Sequence, residues 1–208
     1  MTPKIIIPPD DEPISIEEAR AHLEAQPYFD SDVDPVDDAM IEGWIGAARE
    51  YCENFLGLSL SLRVLEIALD SFPVIHSGRH SVGLGVDLPM GPAREILSIS
   101  WGDESDDEMA AVDFVLDDYS RPHRVRPVAF NWPSVPAAPN AIKVRYLAGY
   151  GADSDGGEPL PKAIRAAMLL ILGHLYENRS ETNEGQVFAI PIGAEAFLRP
   201  LRVRLGMA

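Results

Sequence analysis

The sequence has little of three things, and each shortage excludes a class of protein. Cysteine occurs once in 208 residues, as Cys52, so no disulfide forms within the chain, no thiolate zinc cage is available, and a reducing compartment is the natural one. Positive charge is scarce: 17 Lys and Arg stand against 33 Asp and Glu, a formal net charge of -16, with a pI near 4.6. That is the wrong sign for a protein whose main surface grips phosphates. Long apolar runs are also missing. The most apolar stretch, Ala166 to Gly173, is bounded by Arg165 and His174 and falls far short of the roughly 18 residues a membrane span needs. The opening MTPKIIIPPDDEP has too short an apolar region for a secretory signal. No membrane partner is expected.

What is present is a globular composition, 46% hydrophobic and 24% charged, close to the averages of about 45–50% and about 25%. It supplies a core for one domain or two small ones. The charge is uneven: residues 1–60 carry 14 acidic and 3 basic side chains, residues 61–150 carry 12 and 8, and residues 151–208 carry 7 and 6. Acidity is concentrated at the amino-terminal end.

Helical signals occupy both ends. Ser15-Ile16-Glu17-Glu18 fits a capping box in which Ser15 takes an orphan amide and Glu18 reaches back. Ile16, Ala19 and Leu23 then share a face. Asp34-Pro35 reads as an N-cap followed by Pro at the first helical position. Beyond it Met40, Ile41, Trp44, Ile45, Ala48, Tyr51, Cys52 and Phe55 recur at three-to-four spacing up to a Gly57 stop. A helix from Lys162 to about Arg179 is apolar nearly all round over its first two thirds; packed against the helix from Asp34, each covering the other's apolar face, it should bury Leu170 and Trp44. A last short helix starts near Gly193 and ends or kinks at Pro200. Between them Leu62–Asp70, Ile96–Trp101, Val112–Leu116, His123–Val128 and Ala141–Leu147 read as five short strands. The expected fold is α+β: a bundle of four helices from residues 1–60 and 150–208, with a small antiparallel β module, residues 61–149, inserted between its halves.

Catalytic and metal chemistry finds no convincing home. His76 and His80 in HSGRH are spaced for one helical face, but Ser-Gly-Arg between them reads as a loop and the Glu of a zincin motif is missing. The runs Gly102 to Glu108 and Asp153 to Gly156 are rich in carboxylates but lack calcium-loop spacing. Gly83-Leu84-Gly85 lacks the third glycine of a phosphate loop and reads as turn glycines. Cys52 lies on an apolar stripe and reads as a buried small hydrophobe, His174 as a core histidine. A carboxylate-rich metal-dependent hydrolase therefore ranks last, and no catalytic residue, cofactor site or metal ligand is assigned. Two basic segments remain. Arg121, Arg124 and Arg126 form a cluster suited to a phosphate or an acidic partner, with Arg124 and Arg126 on one face of a strand. The tail Leu201, Arg202, Val203, Arg204 and Leu205 alternates apolar and basic residues, a pattern suited to strand addition on another protein.

The helical flanks resemble a known family. Ile14-Ser-Ile-Glu-Glu-Ala-Arg-Ala-His-Leu23, Asp37-Asp-Ala-Met-Ile-Glu-Gly-Trp-Ile-Gly-Ala-Ala-Arg-Glu-Tyr51 and Pro161 to Arg179, ending in Leu-Tyr-Glu-Asn-Arg, are similar in order and spacing to the head-tail connectors, or adaptors, of tailed phages and gene transfer agents. Leu69-Asp-Ser-Phe-Pro73, Leu88-Pro, Val144-Arg-Tyr-Leu-Ala-Gly-Tyr-Gly151 and Pro191 to Pro200 extend the likeness to a subgroup with an inserted β module. The resemblance implies a non-enzymatic virion protein, assembled in the bacterial cytoplasm, that forms a portal-associated ring in the neck, usually twelvefold. Its partners would be the portal protein and a stopper or tail-completion protein, with DNA only in transit and the 201–205 tail as the candidate portal contact. A DNA-packaging accessory protein that binds DNA is the alternative.

Overall fold

The computed structural model of the chain describes residues 2–24, 37–77, 80–101, 107–108, 113–129, 131–151, 158–178 and 191–203. The chain divides into two compact units. One comprises Met1–Asp10, Gly57–Gly151 and Val203–Ala208, the other Asp11–Leu56 and Ala152–Arg202.

The first unit is made of strands: β1 (Lys4–Ile7), β2 (Arg63–Leu69), β3 (Val74–Ser77), β4 (His80–Gly83), β5 (Val86–Leu88), β6 (Ala93–Trp101), β7 (Asp107–Glu108), β8 (Phe114–Asp117), β9 (His123–Pro127) and β10 (Ile142–Ala148). They form a five-stranded sheet in the order β1-β2-β10-β6-β7, a three-stranded sheet β5-β9-β8 and a separate hairpin β3-β4. Every strand pair among the described residues is antiparallel. All five expected strands are present in whole or in part. Period-two alternation sets the register: Leu65 and Ile67 face inward on β2, and Val144 and Tyr146 do so opposite them on β10. These side chains join Val86, Leu88 and Val125 of the smaller sheet in one core, each burial contributing about 1.5–3 kcal/mol. Tyr146 is fully buried and its hydroxyl donates to the Pro89 carbonyl oxygen, which satisfies its one polar atom inside the core.

The amino terminus departs from expectation. Residues 1–60 read as part of the helical chassis, yet Lys4–Ile7 forms an edge strand on β2, and the first ten residues belong to the strand-rich unit. Three consecutive isoleucines have high strand propensity, and an open sheet edge offers their backbone the hydrogen bonds that no helix offers it. The same unit also holds β3, β4, β5 and β7 beyond the five strands expected.

The second unit holds the described helices: α1 (Ile16–Glu24), α2 (Asp38–Leu56), α3 (Lys162–Glu177) and α4 (Ile192–Leu198), the last running into a 3-10 turn over Arg199–Leu201. The Glu18 amide donates to Ser15 Oγ at 3.2 Å, so Ser15 caps α1 as expected. The Glu18 carboxylate, expected to reach back to Ser15, instead pairs with Arg165 of α3, while the Glu17 carboxyl is held below its ordinary value chiefly by a hydrogen bond with its own backbone amide, the Ser15 hydroxyl adding. The expected cap of α2 at Asp34-Pro35 lies outside the described residues. Gly57 adopts a φ of 70° just past α2, the left-handed stop that glycine favours.

On α2 the buried face is Ile41, Ile45, Ala48, Cys52 and Leu56. Trp44 is half-buried, its ring meeting that of Tyr176 edge-to-face with centroids 5.9 Å apart, and Met40 is exposed. On α3 Ile164, Ala167, Met168, Ile171, Leu172 and Tyr176 are buried, but Leu170 is 37% exposed. The expected burial of Leu170 is therefore corrected. An apolar run predicts a wide buried face, but neighbouring helices cover only part of a cylinder. Leu172→Ala should accordingly lower stability by about 2–5 kcal/mol and Leu170→Ala by less than about 1 kcal/mol. Urea unfolding of the two variants checks this; equal losses would contradict the packing of α3.

Candidate assembly surfaces

The basic cluster of residues 121–126 lies on and before β9, the central strand of the small sheet. Arg124 Nε donates to Asp87 Oδ1 on β5 at 2.5 Å, and Arg126 Nη2 lies 3.3 Å from Asp117 Oδ2 on β8. Both arginines thus occupy one face, as alternation predicts, and each meets an acid from a flanking strand. The Asp117 carboxyl is held below its ordinary value chiefly by the Ser120 hydroxyl, with the Ser120 amide and Arg126 adding. Arg121 Nη1 donates to the Asp118 carbonyl oxygen at 3.0 Å and lies against His123 Nε2. The buried His123 ring meets the Ala93 carbonyl oxygen through Nδ1 at 2.9 Å. Local pairing of this kind neutralises the positive face that a phosphate backbone would need.

The carboxyl-terminal segment is anchored where it begins. Leu201 closes the 3-10 turn and is half-buried, and the exposed Arg202 places its guanidinium 5.2 Å from the centroid of the Phe55 ring, a cation–π contact. Val203 is half-buried, and its carbonyl oxygen lies close to Gly57, where an added Cβ would meet it at 3.3 Å. Arg204 and Leu205 lie outside the described residues. The structure therefore brings Leu201, Arg202 and Val203 against the chain itself.

Sequence reasoning treats HSGRH as a loop. The backbone instead continues as strand on both sides: His76 pairs with Ser81 and Ser77 with His80, so the two histidines belong to a hairpin. Apolar side chains on this hairpin, which sequence reasoning passed over, are exposed: Val74, Ile75 and Val82. The branched residues on either side of the His-Ser-Gly-Arg-His segment, Val74 and Ile75 before it and Val82 after it, were the available signal. Gly83 and Gly85 are closely approached: a Cβ on Gly83 would sit 3.0 Å from Trp132, and one on Gly85 3.2 Å from Arg126. Trp132 Nε1 donates to the Leu84 carbonyl oxygen at 2.7 Å.

Cys52 is fully buried and burial, with Glu53 adding, pushes its thiol up to about 12, which keeps it an unreactive hydrophobe at neutral pH. His174 is half-buried rather than a core residue, because it lies in the last turn of α3, where its Nδ1 is 3.1 Å from Asn178 Nδ2. Among the described residues no group of three His, Cys, Asp or Glu is arranged to hold a metal ion. No described helix is long and apolar enough to cross a membrane. The carboxylate runs 102–106 and 153–156 lie outside the described residues.

No protein-family model and no curated protein matches the sequence. Solved structures do match. A chain of the virion of the native gene transfer agent (GTA) particle is 21% identical with a TM-score of 0.73. A chain of the neck of the empty GTA particle, computed with C6 symmetry, is 21% identical with a TM-score of 0.74, and a chain of the neck of the native particle, computed with C12 symmetry, is 20% identical with a TM-score of 0.69. Each match covers 100% of this chain and 99% of the other. Over its full length this chain has the fold of chains from the neck and virion of the gene transfer agent particle, as its head-tail connector resemblance leads one to expect.

Proposed function

We propose that the chain is a structural head-tail connector of a phage or gene transfer particle, forming a twelve-copy ring beneath the portal and joining the DNA-filled capsid to the stopper and tail. The observation that carries this reading is the full-length likeness to a chain of a neck with C12 symmetry, together with the connector-like order of the helical motifs. The acidic surface supports a conduit role, since a net charge of -16 repels passing DNA and keeps it from sticking. In this reading the protein is not an enzyme, resides in the neck of the particle and assembles in the bacterial cytoplasm. The four helices form the chassis bundle and the β module is a separate unit. The segment from Leu201 to Leu205 remains the proposed portal contact, reached from the anchor that Arg202 makes on Phe55.

The competing DNA-packaging role would need free cations, and Arg124 and Arg126 are already paired with Asp87 and Asp117. Removing the chain from a producing cell separates the two. The connector reading expects filled heads without tails, and purified protein that forms rings on portals under the electron microscope. Empty heads together with a salt-dependent shift of DNA by the purified protein would overturn it.

A further inference from the structure

The hairpin of β3 and β4 is a separate two-stranded element of the strand-rich unit. Among the described residues its two strands pair only with each other, and a two-stranded hairpin is at best marginally stable in water without a third layer. Its base is nonetheless firmly held. Phe72, just before β3, stacks on Trp132 with centroids 4.5 Å apart and planes 6° apart; both rings are buried. The Leu84 amide donates to the Pro73 carbonyl oxygen at 2.8 Å, and Trp132 and Pro127 pack against Gly83.

From that anchored base the hairpin presents apolar side chains to solvent. Ile75 and Val82 are directly opposed in the register, so they share one face of the hairpin, and they are 52% and 44% exposed. Val74, on the other face of the hairpin, and Leu84, just past it, are exposed as well. Single exposed hydrophobes are ordinary, but an exposed cross-strand pair on a two-stranded hairpin marks a surface that is covered in use. The charge pattern points to the occupant. No Asp or Glu occurs from Phe72 to Val86, and the one full charge in that stretch is positive, whereas residues 1–60 hold 14 acidic and 3 basic side chains. Two copies of so acidic a chain repel unless the contact removes part of the like charge. A hairpin without acids, laid on the acidic amino-terminal third of another copy, does so. Exposed Met40, Glu42 and Glu50 on α2 supply both the apolar and the acidic side of such a surface.

We propose that the β3-β4 hairpin is the arm that joins neighbouring copies: Ile75 and Val82 of one copy seat on the acidic helical surface of the next. Because arm and seat are different surfaces, the contact is head-to-tail, the kind that closes into a ring when its rotation allows. This rests on the ring reading given above.

The test uses the full-length chain in assembling particles, with a photo-crosslinking amino acid at Ile75 or at Val82 and a second, isotopically labelled copy of the chain. Imaging before irradiation shows whether the neck ring is present. With the ring present, adducts are expected between labelled and unlabelled copies, mapping to residues 1–60 of the acceptor. Adducts to the portal or stopper, adducts within one copy only, or none would overturn the proposal while leaving the ring reading intact. An absent ring in particles made with the unsubstituted chain would overturn both. A second variant, Ile75→Asp with Val82→Asp, places charge only at exposed positions. It should keep its melting temperature and lower the yield of tailed particles at least tenfold; a normal yield at an unchanged melting temperature would also overturn the proposal.

Discussion

Gly149→Ala is expected to be the most damaging single methyl group that can be added to this protein. Gly149 follows β10 directly, with a φ of 118°, and its amide donates to the Pro92 carbonyl oxygen at 2.9 Å. A Cβ there would lie 2.2 Å from the Ser61 carbonyl oxygen and 2.5 Å from its carbon. Those are backbone atoms, and the chain they belong to enters β2, whose Arg63 pairs with Ala148 in the ladder. Neither side has room to yield without prising β10 from β2 at the centre of the main sheet. The left-handed backbone adds strain of about 1–3 kcal/mol for any side chain, and the overlap adds more. A loss of about 4 kcal/mol or more is expected, a large part of the roughly 5–15 kcal/mol by which domains are stable. Gly43→Ala is the matched control: nothing lies within 4 Å of its added Cβ, so inside α2 it should stabilise by about 0.5–1 kcal/mol. Urea unfolding followed by tryptophan fluorescence measures both. Equal behaviour of the two would contradict the close approach at Ser61.

The second large effect is expected at Arg49. Its guanidinium donates from Nε to Glu12 Oε2 at 2.8 Å and from Nη1 to Glu53 Oε2 at 3.1 Å. The Arg49 and Glu53 side chains are only 12% and 5% exposed. Burial acts to lower the Arg49 pKa, but hydrogen bonds and attraction from Glu12 and Glu53 outweigh it and leave the group above its ordinary value. Arg49→Met keeps much of the apolar stem and removes the cation, so a buried carboxylate loses a counter-charge, at a cost of about 3–5 kcal/mol. Changing Glu53→Leu as well should recover much of that loss, because two apolar groups leave no charge behind in the interior. A double-mutant cycle by urea unfolding decides the matter; additive losses would mean that the two side chains act independently.

The part of the candidate assembly surface that could be read in the sequence is the part with local causes. Alternation put Arg124 and Arg126 on one strand face, and there they lie. That each would meet an acid could not be read, since Asp87 is 37 residues from Arg124 and joins it only through the pairing of β5 with β9. The anchoring of Arg202 on Phe55 was hidden for the same reason. The exposed pair Ile75 and Val82 escaped notice because His-Ser-Gly-Arg-His looks like a loop, and nothing in the sequence says that no third strand covers the hairpin.

By itself the sequence determined the helices, the Ser15 cap and the Gly57 stop, the five main strands and the connector-like order of its motifs. These follow from backbone preferences and side-chain periodicity within a few residues: Ser15 caps α1 and Gly57 ends α2 because of what each residue is. The tertiary structure alone decided that Lys4–Ile7 leaves the helical segment for the edge of β2, that Glu18 pairs with Arg165 across 147 residues, and that Leu170 faces solvent while Leu172 does not. Each of those outcomes depends on which distant surface arrives beside a residue. An apolar or charged side chain specifies the kind of neighbour it favours, and only the closed fold specifies which neighbour it gets.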